Sequence, residues 1–235
     1  MNTFNHRMGA EFRAVWQRVR EDEAMRAVVL RAAGERAFST GADVKAGGWH
    51  RNDLGPFDQD NPGASLGPKQ NSVWKPVITA VQGLCCGGAY YWINESDIVI
   101  CSKDAQFFDP HTTFGMVCAV EPTGLLARIP YWEIMRMILM GNNERISAAT
   151  ALRISLVSEI TPRDTLWARA HELATMIAAK PAAAIQGSVR AVWEALDLPH
   201  TAAVRYALKF CQLGNPIGTR EVDRWSMPKS SWVLR

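Results

Sequence analysis

The sequence predicts an α/β fold built from parallel βαβ units and ending in a C-terminal helical region. Short apolar runs alternate with helical periodicity over residues 26–108. Two of those runs lead into glycine-rich turns, Ala37–Lys45 and Gly83–Ala89. From residue 123 onward the pattern is helical almost throughout. Strand–helix alternation followed by helices is how a parallel sheet with a helical appendage reads in sequence. The chain of 235 residues therefore divides into an α/β core over 1–160 and a helical region over 161–235.

Each element follows from its local pattern. Phe4, Met8, Phe12, Val15, Trp16 and Val19 recur at three- and four-residue spacing, which predicts an amphipathic helix over 4–21. Arg26–Ala32 is a short apolar run and reads as a buried strand. Residues 46–72 are rich in Gly, Pro, Asn and Asp and read as a long surface loop or lid. Lys75–Val81 is the next strand, Gly87–Glu95 opens a helix, and Asp97–Cys101 and Ala105–Phe108 are further strands. Helices follow over Gly124–Arg128, Trp132–Met140, Ser147–Ile154, Asp164–Ala179, Ala182–Leu196 and Thr201–Leu213, with a short strand at Val157–Ile160. Ser147 reads as an N-cap, and Pro162 and Pro181 punctuate the series. The apolar helix Ile134–Met140 suits burial in a subunit interface.

Composition narrows the function. A net charge of +3 with dispersed Lys and Arg gives no nucleic-acid footprint, although a local patch can still hold phosphates. No apolar run is long enough to span a bilayer, and the N-terminus is polar, without a signal peptide. The five cysteines are odd in number and lack metal-ligand spacing, so no metal is expected. Adjacent Cys85 and Cys86 are poorly placed for a disulfide, which points to a reducing, cytoplasmic compartment. Both read as small buried residues filling a turn. Neither the GxGxxG nor the GxxxxGK[ST] fingerprint is present, which argues against nicotinamide and nucleoside-triphosphate chemistry.

The two glycine turns carry the chemical signal. Each follows an apolar run, and two such turns can aim two backbone N–H groups at one oxygen, as an oxyanion hole requires. Gly87-Gly88-Ala89 also opens a helix, where unpaired N–H groups favour a developing anion. The bland alternative for either turn is a plain strand-to-helix connection.

Four stretches carry a resemblance: RAVVLRAAGERAFSTGADVK (26–45), KPVITAVQGLCCGG (75–88), DIVICSKDAQ (97–106) and LMGNNERISAATALRISLVSEI (139–160). With the N-terminal helix that begins Asn2-Thr3-Phe4, they resemble the crotonase superfamily, which includes enoyl-CoA hydratases and isomerases. The resemblance covers most of the chain. It implies a ββα spiral core, an acyl-CoA thioester as substrate, no cofactor besides, and a homotrimer or hexamer. It implies that the amides of Ala42 and Gly88 hold the thioester oxygen and stabilise an enolate. Losing one such donor costs about 3 kcal/mol. It also implies that Ala42, Asp43, Val44, Lys45, Gly87 and Gly88 contact the substrate. Lys45 either meets the CoA phosphates or is simply exposed. The family's first strand precedes its N-terminal helix; Met1 stands almost at that helix, so the strand is expected to be missing.

The chain departs from the family where hydratases carry two Glu residues. Tyr91 and His111 stand at those positions. Tyr91 is a weak base at neutral pH, whereas His111 titrates near neutrality. Glu121 falls where other branches place an acid, and Asp109 lies two residues before His111, able to share its face on a strand. Structural roles compete: Glu121 as a residue at a helix start, Asp109 as a turn cap before Pro110, His111 as a hydrogen-bonding residue. The resulting candidates for catalysis are His111, Glu121, Asp109 and Tyr91. Three functions fit: hydratase or isomerase chemistry on an enoyl-CoA, hydrolysis of a β-diketone carbon–carbon bond, or acyl-CoA binding without catalysis.

Overall fold

The computed structural model describes residues 1–49, 57, 61–226, 232 and 234. It divides into two compact units, Met1–Thr175 and Met176–Arg235.

The first unit opens with helix α1 (His6–Glu21), whose N-cap Asn5 accepts a hydrogen bond from the Met8 amide. Trp16 faces inward, its indole N–H donating to the Leu66 carbonyl at 2.9 Å. At the other end of α1, Lys75 Nζ donates to the carbonyls of Val19 and Asp22 at 2.6 and 2.7 Å. Strands β1 (Val28–Arg31) and β2 (Ala37–Ser39) precede a short helix α2 (Gly63–Leu66). Strands β3 (Val77–Val81) and β4 (Leu84–Cys86) run through a 3-10 turn, Gly87–Ala89, into α3 (Tyr90–Glu95). Strands β5 (Ile98–Ser102) and β6 (Gln106–Phe108) lead to a 3-10 turn, His111–Phe114, and then α4 (Val120–Thr123). Helix α5 (Tyr131–Met140), strand β7 (Ile146–Ser147), helix α6 (Ala148–Arg153) and strand β8 (Glu159–Thr161) follow. Helix α7 (Leu166–Ala178) runs across the division between the units. The second unit contains α8 (Ala182–Ala195) and α9 (His200–Gly218), which pack together; Glu194 of α8 accepts from Arg190 and from the Tyr206 hydroxyl.

The strands form two four-stranded sheets, ordered β1-β3-β5-β8 and β2-β4-β6-β7. Successive pairs β1/β2, β3/β4 and β5/β6 each send their first strand to one sheet and their second to the other. This is the expected ββα spiral. All pairings are parallel except β6 with β7. Strand β3 is buried at every position, as a parallel strand covered on both faces should be. Its one polar residue, Thr79, is satisfied by the Ser96 hydroxyl at 2.6 Å.

Several elements differ from expectation. Ala37–Ser39 and Leu84–Cys86 read as parts of turns but are strands β2 and β4. They are three residues long and are held by partners far away in sequence. The helix expected over Gly124–Arg128 is instead a run of turns with i→i−3 bonds, closed by Pro130; the helical residues are those of α4, just before it. Helix α9 passes through Pro216, which removes only one backbone donor, and runs on to Gly218. Ser147 caps α6, accepting from the Thr150 amide, as expected. Within the expected 46–72 loop, residues 50–56 and 58–60 lie outside the described residues; the rest includes α2 and part of a 3-10 turn, Val44–Ala46. In the expected interface helix, Ile134 and Met137 are buried while Leu139 and Met140 are exposed.

Candidate active site

Strands β2 and β4 are parallel neighbours, Ala37 facing Leu84 and Ser39 facing Cys85. Parallel neighbours end at the same edge, so the glycine turns that follow them emerge side by side. Gly41 has φ +81°, and a Cβ built on it would stand 2.9 Å from the Gly88 nitrogen. Only glycine permits both that conformation and that approach. The first turn is pinned by Phe4, whose amide donates to the Gly41 carbonyl and whose carbonyl accepts from the Asp43 amide. N–H directions alternate along extended backbone, so the Ala42 amide, one residue earlier, faces away from the Phe4 backbone. Among the described residues it donates to no backbone acceptor. Gly88 is the second residue of its 3-10 turn, ahead of the first i→i−3 bond, so its amide also lacks a partner within the turn. The two amides are thus adjacent and uncommitted.

The Asp43 side chain accepts from the amides of Lys45 and Ala46, fixing the turn that carries Val44 and Lys45 at the surface. Both side chains are exposed.

Beside the second turn stands His111. A Cβ on Gly87 would be 3.7 Å from His111 Cε1. Asp109 is fully buried; its Oδ1 accepts from the His111 amide at 3.0 Å and pairs with His111 Nδ1 at 2.7 Å. The two residues do meet, but not as strand neighbours: β6 ends at Phe108, and the Asp109 carboxylate folds back on the chain two residues on. The hydrogen bond to Asp109 outweighs burial and holds the His111 pKa above its ordinary value. On the far side of the ring, Nε2 lies 3.8 Å from Glu121 Oε1. Glu121 is buried in the first turn of α4, and Asn94 ties its carbonyl to α3 at 2.8 Å. Burial, and then the neighbouring Glu121 carboxylate, pushes the Tyr91 phenol well above its ordinary range, so Tyr91 stays protonated at neutral pH.

The structure therefore brings together the two glycine turns, His111, Asp109, Glu121 and Tyr91. All five cysteines are free thiols. Burial raises Cys86 to about 12 and Cys85 well above the usual thiol range, so neither is a thiolate nucleophile at neutral pH. Sequence reasoning missed Cys118, whose sulfur lies within 4.8 Å of ligand atoms of Asp109 and His111. The loop that carries it has no periodicity to announce its place. It also missed the aromatic packing beneath Gly88: a Cβ there would meet the Phe4 ring at 2.5 Å, and Phe4 packs edge-on to Trp49, Tyr91 and Trp92.

Two sheets wound as a ββα spiral, with paired glycine turns at one edge, define a crotonase-type fold. An enoyl-CoA hydratase/isomerase structure from Mycobacterium paratuberculosis has a TM-score of 0.80 at 35% identity, covering 90% of this chain and 80% of that one. An enoyl-CoA hydratase subunit from Geobacillus kaustophilus has a TM-score of 0.78 at 26% identity, covering 90% and 80%. The (E)-benzylidenesuccinyl-CoA hydratase of Thauera aromatica is 31% identical over 209 residues, 88% of this chain and 80% of that protein. The carnitinyl-CoA dehydratase of Proteus mirabilis is 29% identical over 187 residues, 75% and 67% of the two chains. The family profile described as enoyl-CoA hydratase/isomerase matches residues 1–211. The chain belongs to the enoyl-CoA hydratase/isomerase family, within the crotonase superfamily.

Proposed function

We propose that the protein is an enzyme of acyl-CoA thioesters that adds water to, or removes it from, an enoyl-CoA through an oxyanion-stabilised enolate. The observation that carries this is the position of His111, paired with Asp109, beside the Gly87–Gly88 turn and across from Glu121. Relatives named as a hydratase and a dehydratase of CoA esters support the reaction class.

In the hydration direction, His111 Nε2 and Glu121 Oε1 are 3.8 Å apart, close enough for one water to lie about 2.8 Å from each. His111 takes a proton from that water as its oxygen bonds to Cβ of the enoyl group. The electron pair moves to the thioester oxygen, where the amides of Ala42 and Gly88 receive the charge. The proton then passes from the imidazolium to Cα, which restores the base. Asp109 is a positioning residue that fixes the ring and its tautomer. Tyr91, neutral and buried, presents a hydroxyl near Glu121. Asp43, Val44, Lys45 and Gly87 line the path of the CoA moiety, with Lys45 meeting a phosphate. The enzyme is cytoplasmic and assembles as a trimer or hexamer, for which the exposed Tyr131, Trp132 and Leu139 of α5 provide apolar surface. No helix among the described residues is long and apolar enough to cross a membrane.

Crotonyl-CoA hydration is the first assay. His111→Ala and Glu121→Gln should each lower kcat by a factor of about 100 or more. Unchanged turnover in both variants removes them from the mechanism. The oriented His–Asp pair without the family's two Glu residues also suits hydrolysis of a β-diketone carbon–carbon bond. Mass analysis of products from a cyclic diketone or its CoA ester separates that reaction from hydration. Acyl-CoA binding without any turnover would instead mark a non-catalytic binding protein.

A further inference from the structure

We propose that Asp109, His111 and Cys118 form a binding site for a thiophilic divalent transition metal of the zinc or cobalt class. The residues offer one carboxylate oxygen, one imidazole nitrogen and one sulfur, all within 4.8 Å of one another. A tetrahedral zinc ion holds such donors roughly 3.3–3.8 Å apart, so the widest separation closes by about 1 Å while the Asp109–His111 contact, which stands at 2.7 Å, opens. Cys118 and His111 are partly exposed, which gives the ion an entry path. The second observation is independent. Asp109 is fully buried, and its Oδ2 has no hydrogen-bond partner among the described residues. A buried carboxylate oxygen without a well-aligned donor is costly; the Cys118 thiol beside Asp109 is the neighbouring donor, and a cation held between the two satisfies the oxygen and replaces the thiol proton.

The donor set selects the metal. Imidazole and thiolate favour zinc or cobalt, whereas magnesium and calcium take oxygen donors throughout. Three protein ligands leave a fourth position for water. Glu121 stands 3.8 Å from His111 Nε2, too far for a direct hydrogen bond but spanned by one water, through which an outer carboxylate can orient a ligating imidazole. From the imidazolium form, the Nδ1 proton and the Cys118 thiol proton leave to solvent as the metal enters; no electron is transferred. Occupancy also takes the Asp109–His111 pair away from its service to the proposed hydration. The site itself goes beyond that chemistry, and its test needs no turnover.

The test is titration of metal-stripped full-length protein with Co2+, carried in a Cys211→Ser background to remove the exposed thiol. One equivalent should bind, with a thiolate-to-cobalt charge-transfer band in the near ultraviolet and the intense visible bands of a tetrahedral ion. Zn2+ should displace it. Cys118→Ser should abolish the charge-transfer band, and Asp109→Asn should weaken binding by more than about tenfold. Circular dichroism of each variant checks that the fold is kept. No saturable binding, or a charge-transfer band that survives Cys118→Ser in folded protein, overturns the assignment.

Discussion

Asp109 sets the behaviour of His111. A buried carboxylate 2.7 Å from Nδ1 favours the charged imidazolium, so the ring titrates above its ordinary value of 6.5. The sign for stability follows from this. Because the folded pKa is raised, the pair stabilises the fold fully below about pH 6.5, and that contribution fades as pH rises through the raised value. NMR titration of the His111 ring in chelator-treated protein should show the elevated pKa, and Asp109→Asn should bring it down. A wild-type value at or below 6.5 contradicts the pairing. Glycine at position 41 is equally specific, since its left-handed backbone lies against the Gly88 nitrogen and leaves no room for a side chain. The Asp109–His111 contact was legible in sequence as two residues two apart, though it is not a shared strand face: β6 ends at Phe108 and the carboxylate reaches the chain beyond it. Cys118 was illegible, because three intervening segments of loop and turn decide where its sulfur falls.

At the scale of the element, the strongest sequence signals are those that packing and hydrogen bonding reinforce locally. Strand β3 was legible because all of its residues are buried and nearly all are apolar. Helix α6 was legible because Ser147 caps it. Ser147→Ala should cost about 1 kcal/mol in urea unfolding, and a change below a few tenths would show the cap to be idle. Strands β2 and β4 were not legible, because three residues carry too little periodicity and their pairing partners are remote. Helix α1 ends at Glu21, as its periodicity predicts, but what closes that end was not legible: Lys75, at the head of a strand in sequence, is buried with its ammonium on the carbonyls of Val19 and Asp22. Lys75→Met keeps the aliphatic stem and leaves those carbonyls without their donor. It should destabilise the protein by about 1–3 kcal/mol in the same assay, and a neutral result would mean water replaces the ammonium freely.

At the scale of the whole molecule, the spiral converts sequence order into proximity. Each ββ pair sends its second strand to the same sheet, so the turns after β2 and β4 and the loop after β6 gather at one edge. That is why residues near 42, 88 and 111 meet although they are far apart in the chain. The glycine turns and the family resemblance made this much readable from sequence. The resemblance already offered His111 and Glu121 together as candidates; their 3.8 Å separation needed the structure, since it depends on where α4 begins, and α4 replaced a helix expected a few residues later. The most direct test of the account is a crystal structure with a slowly turned-over acyl-CoA analogue bound. The thioester oxygen should lie about 2.7–3.1 Å from both the Ala42 and the Gly88 nitrogens, with Cβ facing His111 and Glu121. A thioester oxygen bound out of reach of either amide would contradict it.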